Sequence, residues 1–372
     1  MPFLKKHARL IVCLLISLWA FKLRAERYAG RILWNDELYQ LGFIVGPFKK
    51  IWERNVYGDF TCFPGDYLVT YPFIRLSGLY KITKSFPTLE GWDKWMLALP
   101  HILATVIGFY FLYLMCQKYF KTIWGDIVAF GVLCYNGNLI FHAFEFRPYA
   151  VLSTLSLAVF YFSGNIIEPA KEYRRWQKVL LGAFFIFVIL FHLYGILIVS
   201  LSLIYHVIIS RNSPPFKENF KKLVQFFGAV FIVAVPWWMW YASGHPLKVL
   251  DNPHGYDVFR YIPNPLVDTI GFLKGIFGNL VGYKNFYPLL VIFFMTPFLK
   301  YPERHRQILF FLLIVIIPIQ IVFLSDLYKG YMFLQRQWVW VISLFSFFMG
   351  WQWDALAYSL QERLKRYKIS QS

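Results

Sequence analysis

The sequence predicts an all-α polytopic membrane protein with about ten transmembrane helices, and its composition and its apolar runs are the basis of that prediction. Of the 372 residues, 58% are hydrophobic and only 16% are charged, and the mean hydropathy is +0.48. Ordinary soluble domains carry about 25% charged residues. The apolar residues also fall in long runs rather than periodic faces. We treat residues 1–372 as one multi-pass domain.

The chain is strongly basic, with 38 Lys and Arg against 20 Asp and Glu, for a net charge of +18. In a membrane protein such an excess concentrates in cytoplasmic loops and also attracts anionic lipid head groups, so it does not indicate a nucleic-acid partner. The four cysteines include no Cys-x-x-Cys pair and indicate neither a disulfide framework nor a metal site.

Taken in order, the apolar runs and the basic links between them place ten spans. The predicted spans are 10–23, 96–116, 125–141, 149–163, two within 179–210, 223–241, 287–299, 308–324 and 338–353. The run 179–210 is divided in two because Phe191-His-Leu-Tyr-Gly195 interrupts it with a polar turn. Pro148 suits the first turn of the span that follows it. Each short link predicted to lie inside is basic, as the positive-inside rule requires.

This arrangement predicts a protein of the plasma or inner membrane with both termini in the cytoplasm. Residues 24–95 and 243–286 then form two long loops on the outer side. In the first loop, residues 42–52 and 67–79 are apolar enough to form interfacial helices, joined by a turn at 62–67. The span interiors hold almost no ionisable residues, which favours a site at the outer interface over a transport path through the bundle.

Asp36 and Glu37 are two adjacent carboxylates just after the first span. Neighbouring carboxylates near a membrane repel each other, and such a pair often handles a proton or a cation. The alternative is that both acids simply open an amphipathic helix, whose N-terminal dipole they complement.

Arg147 and Arg336 each stand at the outer start of a span, where an anionic head group would lie. Arginine binds phosphate through two parallel hydrogen bonds and stays charged, although snorkelling of the side chain toward water explains the position equally well. The sequence contains no His-Glu-x-x-His, Gly-x-Ser-x-Gly, Gly-rich phosphate loop or Asp-x-Asp motif.

Together these segments resemble the C-type (GT-C) glycosyltransferase superfamily, in particular glycosyltransferase family 39. The resemblance is carried by Asn35-Asp-Glu-Leu-Tyr39, Phe146-Arg-Pro-Tyr-Ala-Val-Leu152, His192-Leu-Tyr-Gly195 and Tyr331-Met-Phe-Leu-Gln-Arg-Gln337. Relatives often have His-Pro-Pro-Leu-Tyr in the first loop, where this chain has Cys62-Phe-Pro-Gly-Asp-Tyr67. That departure leaves the acceptor unassigned.

The resemblance implies an inverting hexosyl- or pentosyltransferase of the cell envelope. It would move a sugar from a polyprenyl-phosphate carrier to a hydroxyl of a glycan, lipid or protein acceptor at the outer face of the membrane. It implies that Asp36 is the catalytic base and that Arg336 binds the lipid phosphate. We expect Glu37 to orient the acceptor or a neighbouring cation. The other expected substrate-binding residues are Tyr39, Asp66, Arg147, Tyr149 and His192.

The chemistry of such a transfer is consistent with a base at Asp36 and a cation at Arg336. The acceptor hydroxyl must lose a proton as it attacks, which requires a base, and a phosphate leaving group requires cations. No cofactor or metal site is assigned, with a divalent cation left open. Two other classes remain: a flippase or exporter of lipid-linked sugars, and a membrane acyl- or phosphotransferase.

Overall fold

The computed structural model describes residues 2–33, 35–49, 51, 65–81, 89, 91–168, 173–244, 280, 301, 303–321, 324 and 338–371, and within them it contains helices and no strand. The helices are α1 (Pro2–Ala29), α2 (Asn35–Ile44), α3 (Gly65–Leu76), α4 (Gly91–Tyr119), α5 (Ile123–Tyr135), α6 (Gly137–Phe141), α7 (Tyr149–Ile167), α8 (Arg175–Phe191), α9 (Gly195–Ser210), α10 (Pro214–Gly244), α11 (Arg304–Phe310) and α12 (Val339–Gln371). A π-helical turn, Phe311–Ile316, extends α11.

The prediction of an all-α membrane protein is confirmed. Four described helices are long and apolar enough to cross a membrane: Gly91–Tyr119, Tyr149–Ile167, Pro214–Trp240 and Arg304–Ile321. Two shorter apolar helices, Ile123–Tyr135 and Gly195–Ser210, accompany them. The count of ten spans stays a prediction, and the predicted span 287–299 lies outside the described residues.

The core forms where α12 packs against α5 and α7, and α4 packs against α7. Its centre is aromatic: the Phe310 ring lies 5.0 Å from Phe160, 5.6 Å from Phe347 and 6.2 Å from Trp351. Gly350 of α12 lies so close to α5 that a Cβ there would stand 2.5 Å from the Gly125 carbonyl oxygen. A small residue at this crossing therefore lets the two backbones approach, as is common between membrane helices.

One end of the bundle is closed by buried charge. Arg9 of α1 donates two hydrogen bonds to the Asp126 carboxylate of α5, at 2.5 and 2.9 Å, and a third to the Cys116 carbonyl. Asp354 of α12 accepts the backbone N–H groups of Lys121 and Thr122 at 2.9 and 2.6 Å. These contacts join four helices at the end that the charge pattern predicts to be cytoplasmic.

The predicted span 125–141 is wrong as a single helix, because α5 ends at Tyr135 and α6 begins at Gly137. Asn136 causes the break: its side-chain oxygen accepts the backbone N–H groups of Asn138 and Leu139 and so starts a new helix. Arg24 of α1 donates to the carbonyl of Leu133 at 2.7 Å, which satisfies an acceptor freed by the end of α5.

The division of 179–210 into two helices is confirmed, since α8 ends at Phe191 and α9 starts at Gly195. In the first loop the predicted helix 42–52 is not one helix from its first residue, because α2 starts earlier and ends at Ile44, while residues 48, 49 and 51 are helical again. The second predicted helix, 67–79, corresponds to α3 at Gly65–Leu76. Both helices pack inward, burying apolar side chains of α2 and α3 against the start of α4 and against Phe146.

Candidate functional site

Polar side chains from six separate segments meet at the other end of the bundle. They come from the segment after α1, from α2, from α3, from α4 and from the turns that precede α7 and α9. We call this group the polar cluster: Arg31, Glu37, Gln40, Asp66, His101, His142, Glu145, Arg147 and His192. The segments are the ones that the charge pattern predicts to lie outside, together with the first part of α4.

The helix α2 turns one face toward the cluster. Glu37, Gln40, Leu41 and Ile44 are each at most 1% exposed, and their spacing places them on one side of a helix. Because α2 begins at Asn35, Glu37 lies in its first turn, where a carboxylate complements the helix dipole. The polar residues of this face point into the cluster, and the apolar ones anchor α2 beneath it.

Glu37 ties α2 to the turn before α7. Its carboxylate accepts two hydrogen bonds from the Arg31 guanidinium, at 2.5 and 2.9 Å, and one from the Phe146 backbone N–H at 2.8 Å. In this ion pair the Glu37 side chain is fully buried, and the Arg31 side chain is 9% exposed. Burial alone would lower the pKa of Arg31, but the hydrogen bonds and charge of Glu37 raise it above its ordinary value. Glu37 thus links Arg31 to Phe146, the residue before Arg147.

A second chain of contacts runs through Asp66 in the first turn of α3. One carboxylate oxygen accepts from the Gln40 amide, and the other lies 3.3 Å from His101 Nε2 of α4. The side-chain oxygen of Gln40 in turn accepts from Arg147 at 3.3 Å. Asp66 is 1% exposed, whereas Arg147 is 7% exposed. Arg147 therefore stands nearer to the surface than the groups that hold it.

The close approach of α3 to α8 brings Asp66 toward His192. A Cβ on Gly65 would overlap the Phe191 Cα and would lie 2.8 Å from the Phe191 carbonyl oxygen. Only glycine allows this contact without a shift of the backbone. Since Asp66 follows Gly65 directly and His192 follows Phe191, the contact places these two polar groups beside each other.

His192 is held as a neutral ring. Its Nδ1 accepts the Tyr194 backbone N–H at 3.2 Å. Burial, together with the positive charge of Arg147, lowers the pKa of His192 from 6.5 to about 4, although Asp66 acts in the opposite direction. An uncharged imidazole at neutral pH can donate or accept a hydrogen bond without adding positive charge.

The turn before α7 carries its own contact between a histidine and a carboxylate. His142 Nδ1 contacts the Glu145 carboxylate, and the Tyr149 ring packs on His142 at 5.0 Å. Burial alone would raise the pKa of Glu145, but the charges of His142, Arg147 and Arg31 lower it below its ordinary value. Tyr149 is 2% exposed, so its visible role is to support this turn.

The structure gathers four of the residues expected at the site from the sequence: Glu37, Asp66, Arg147 and His192. A fifth, Tyr149, packs beneath them. The side chains of Asp36 and Tyr39 lie outside the described part of α2, although their backbone forms part of that helix, and Arg336 lies outside the described residues altogether.

Sequence reasoning missed five members of the cluster: Arg31, Gln40, His101, His142 and Glu145. Gln40 and Glu37 share a helical face three residues apart, which is a signal that the sequence does carry. Across the described residues, no group of three or more His, Cys, Asp or Glu side chains could hold a metal ion. Arg147 and the neutral His192 can donate hydrogen bonds to an anionic group, while the buried carboxylates of Glu37 and Asp66 hold the surrounding polar side chains in place.

Residues 80–240 match the family model described as dolichyl-phosphate-mannose-protein mannosyltransferase. The matched region contains the turns of Arg147 and His192, but neither the Asp36-Glu37 pair nor Arg336. Neither the curated proteins nor the solved structures gave a match to the chain. The family match confirms the resemblance to the GT-C glycosyltransferase superfamily, to which that mannosyltransferase family belongs, and it indicates a membrane-bound glycosyltransferase.

Proposed function

We propose that this chain is an inverting glycosyltransferase that moves a sugar from a polyprenyl-phosphate carrier to an acceptor hydroxyl at the outer face of the membrane. The observation that carries the proposal is the family match over residues 80–240, whose two polar turns converge with α2 and α3 in the polar cluster. A lipid-linked donor accounts for a site at the end of a membrane bundle.

The departing group in this reaction is a lipid phosphate. It leaves as an anion, so cationic side chains stabilise it and no acid is needed to protonate it. We assign this role to Arg147, which is more exposed than the Gln40 and Asp66 side chains that hold it, and to Arg336. The acceptor hydroxyl must lose its proton to a base as it attacks the anomeric carbon from the opposite side. We assign the base to Asp36.

Glu37 is a positioning residue in this proposal. Both of its oxygens are engaged by Arg31 and by the Phe146 backbone, so it fixes the start of α2 against the turn that carries Arg147. Asp36, the preceding residue, is rotated by about 100° around the helix axis from Glu37. The two acids therefore have different roles: Glu37 holds the first turn of α2 in place, and Asp36 takes the proton from the acceptor hydroxyl.

The test of the base is transfer from purified polyprenyl-phosphate sugar in proteoliposomes, measured beside donor binding and thermal melting. Asp36→Asn keeps the side-chain shape and removes its basicity. We expect it to bind donor and melt normally but to lose transfer by about 10²–10⁴, the usual contribution of a positioned base. Glu37→Gln should lose less transfer but melt earlier, since it weakens a buried ion pair. Near-normal transfer by Asp36→Asn would exclude it as the base.

The phosphate role has its own test. Arg336→Ala should weaken donor binding, and Arg336→Lys should restore it only in part, because lysine lacks the planar fork that binds two phosphate oxygens together. Normal donor affinity in Arg336→Ala would favour the snorkelling interpretation for this residue.

A further inference from the structure

We infer that His101, Asp66 and Gln40 form a positioning relay that orients the Arg147 guanidinium toward the donor phosphate. The inference deepens the proposed function and rests on it, because Arg147 needs a fixed orientation only if it binds a ligand. It gives Asp66 a role inside the protein instead of a direct contact with substrate, and it adds two residues to the site.

The relay follows from the hydrogen-bonding capacity of each group. A carboxylate only accepts, so Gln40 must present its NH₂ group to Asp66. That orientation leaves the Gln40 oxygen facing the other way, where it accepts from Arg147 at 3.3 Å. A guanidinium only donates, so it requires an acceptor at this point. Asp66 therefore determines which end of the Gln40 amide meets Arg147.

His101 fixes Asp66 from the opposite side. Its Nε2 lies 3.3 Å from the Asp66 carboxylate oxygen that Gln40 does not use. The ring also meets the edge of Phe146 at 5.8 Å, one residue before Arg147. His101 is fully buried within α4 and, among the described residues, its Nδ1 has no hydrogen-bond partner. The polar contact of this ring is thus directed to Asp66.

Burial separates the relay from the ligand-binding group. Gln40 and His101 are 0% exposed and Asp66 is 1% exposed, and each carboxylate oxygen of Asp66 already contacts a described side chain. A direct substrate ligand needs an accessible lone pair, and Asp66 has little to offer. Arg147 is more exposed than the three relay residues. The contacts therefore run outward from His101 in the interior of α4 to Arg147.

The relay can be tested by exchanging its two acceptor groups. In Asp66→Asn, residue 66 can now donate to the Gln40 oxygen, so the Gln40 amide can turn its NH₂ group toward Arg147 and set donor against donor. We expect the KM for the polyprenyl-phosphate sugar to rise about tenfold, with a smaller change in kcat. Gln40→Glu places two carboxylates in contact and should also raise KM.

The double variant Asp66→Asn, Gln40→Glu should restore much of the donor affinity. The new carboxylate at position 40 would accept from the new amide at position 66 on one side and from Arg147 on the other. This recreates the native pattern with the charge moved to the neighbouring member of the relay. His101→Phe should raise the donor KM in the wild-type background but have little further effect in Asp66→Asn. Gln361→Glu, an exposed position on α12, is the matched control for the added charge.

A direct role for Asp66 in substrate binding predicts the opposite result, because the double variant would then bind donor no better than Asp66→Asn. Thermal melting of the wild type, the two single variants and the double variant gives a readout that does not need activity. The relay requires the two substitutions to compensate each other in melting temperature. Additive losses in melting would overturn the relay even if the wild type were active. If the two substitutions compensate in melting temperature but the wild type transfers no sugar, the relay is supported and the proposed donor is rejected.

Discussion

His192 carries the clearest pH signature of the cluster at the scale of single residues. Its pKa falls from 6.5 to about 4 because it is buried and faces Arg147, with Asp66 opposing the shift. Above 6.5 the ring is neutral in both the folded and the unfolded chain. As the pH drops from 6.5 toward 4, the unfolded chain binds a proton that the folded chain rejects, so stability is lost.

His192→Asn tests this shift. The asparagine side-chain oxygen can take the place of Nδ1 and accept the Tyr194 N–H, but it cannot titrate. We expect the wild type to lose up to about 3 kcal/mol more than the variant between neutral pH and pH 4, measured by denaturant unfolding in detergent. Parallel stability curves for the two proteins over this range would show that His192 titrates normally.

Some residues of the site could be recognised from the sequence, and others could not. Asp36-Glu37 and Arg147 stand out in a single sequence because charges beside apolar runs are costly and rare. Gln40 shares a helical face with Glu37, but the sequence does not show its partner or that of His101, because both pair with Asp66, 26 and 35 residues away along the chain. His101 also lies inside a helix that looks like an ordinary span, where a lone histidine has no visible partner.

At the scale of elements, the position of α3 depends on Gly65. Its contact with Phe191 sets how closely the start of α3 approaches the end of α8, and that approach places Asp66 beside His192. In Gly65→Ala the new methyl group would overlap the Phe191 backbone, which cannot move aside as a flexible side chain can. We expect a loss of about 1–3 kcal/mol in stability and weakened donor binding.

Gly42→Ala is the matched control, since it lies on α2 with no atom within 4 Å of the added Cβ. Alanine in an open helical position should leave stability unchanged or raise it by up to about 1 kcal/mol. Thermal melting and donor binding of both variants would be compared in parallel. Equal effects from the two substitutions would remove Gly65 as the determinant of the α3–α8 contact.

Helix breaks show where sequence patterns succeed and where they fail. The turn at 192–194 was predictable because a histidine and a glycine interrupt one apolar run that is too long for a single crossing. The break at Asn136 was not, because the run 125–141 has an acceptable length and its single asparagine could equally face a neighbouring helix. The deciding interaction is a local cap, in which the Asn136 side chain competes with the helix backbone.

At the scale of the whole molecule, the two ends of the bundle have different chemistry. One end is closed by the Arg9–Asp126 and Asp354 contacts, and the basic tail of α12 follows on the same chain segment. The other end holds the polar cluster, with the two polar turns and the first-loop helices packed over it. A bundle whose ends differ in this way can present its site to one side of the membrane only.

Which side that is follows from the positive-inside rule. Basic residues concentrate at the closed end and its links, so that end should face the cytoplasm and the cluster should face outward. Three of the four cysteines, Cys13, Cys116 and Cys134, are buried, which leaves Cys62 of the first loop as a reporter, although it lies outside the described residues. Buried thiols react poorly because the reagent cannot reach them and the thiolate is disfavoured.

We expect a membrane-impermeant maleimide to label Cys62 in intact cells and to lose that labelling in Cys62→Ser. In the Cys62→Ser background, a cysteine replacing His254 should react from outside. A cysteine replacing Gln361, an exposed residue of α12, should react only in inverted vesicles. If Gln361→Cys were labelled in intact cells while Cys62 was protected, the orientation would be reversed. The polar cluster would then face the cytoplasm, and transfer at the outer face of the membrane would no longer be tenable.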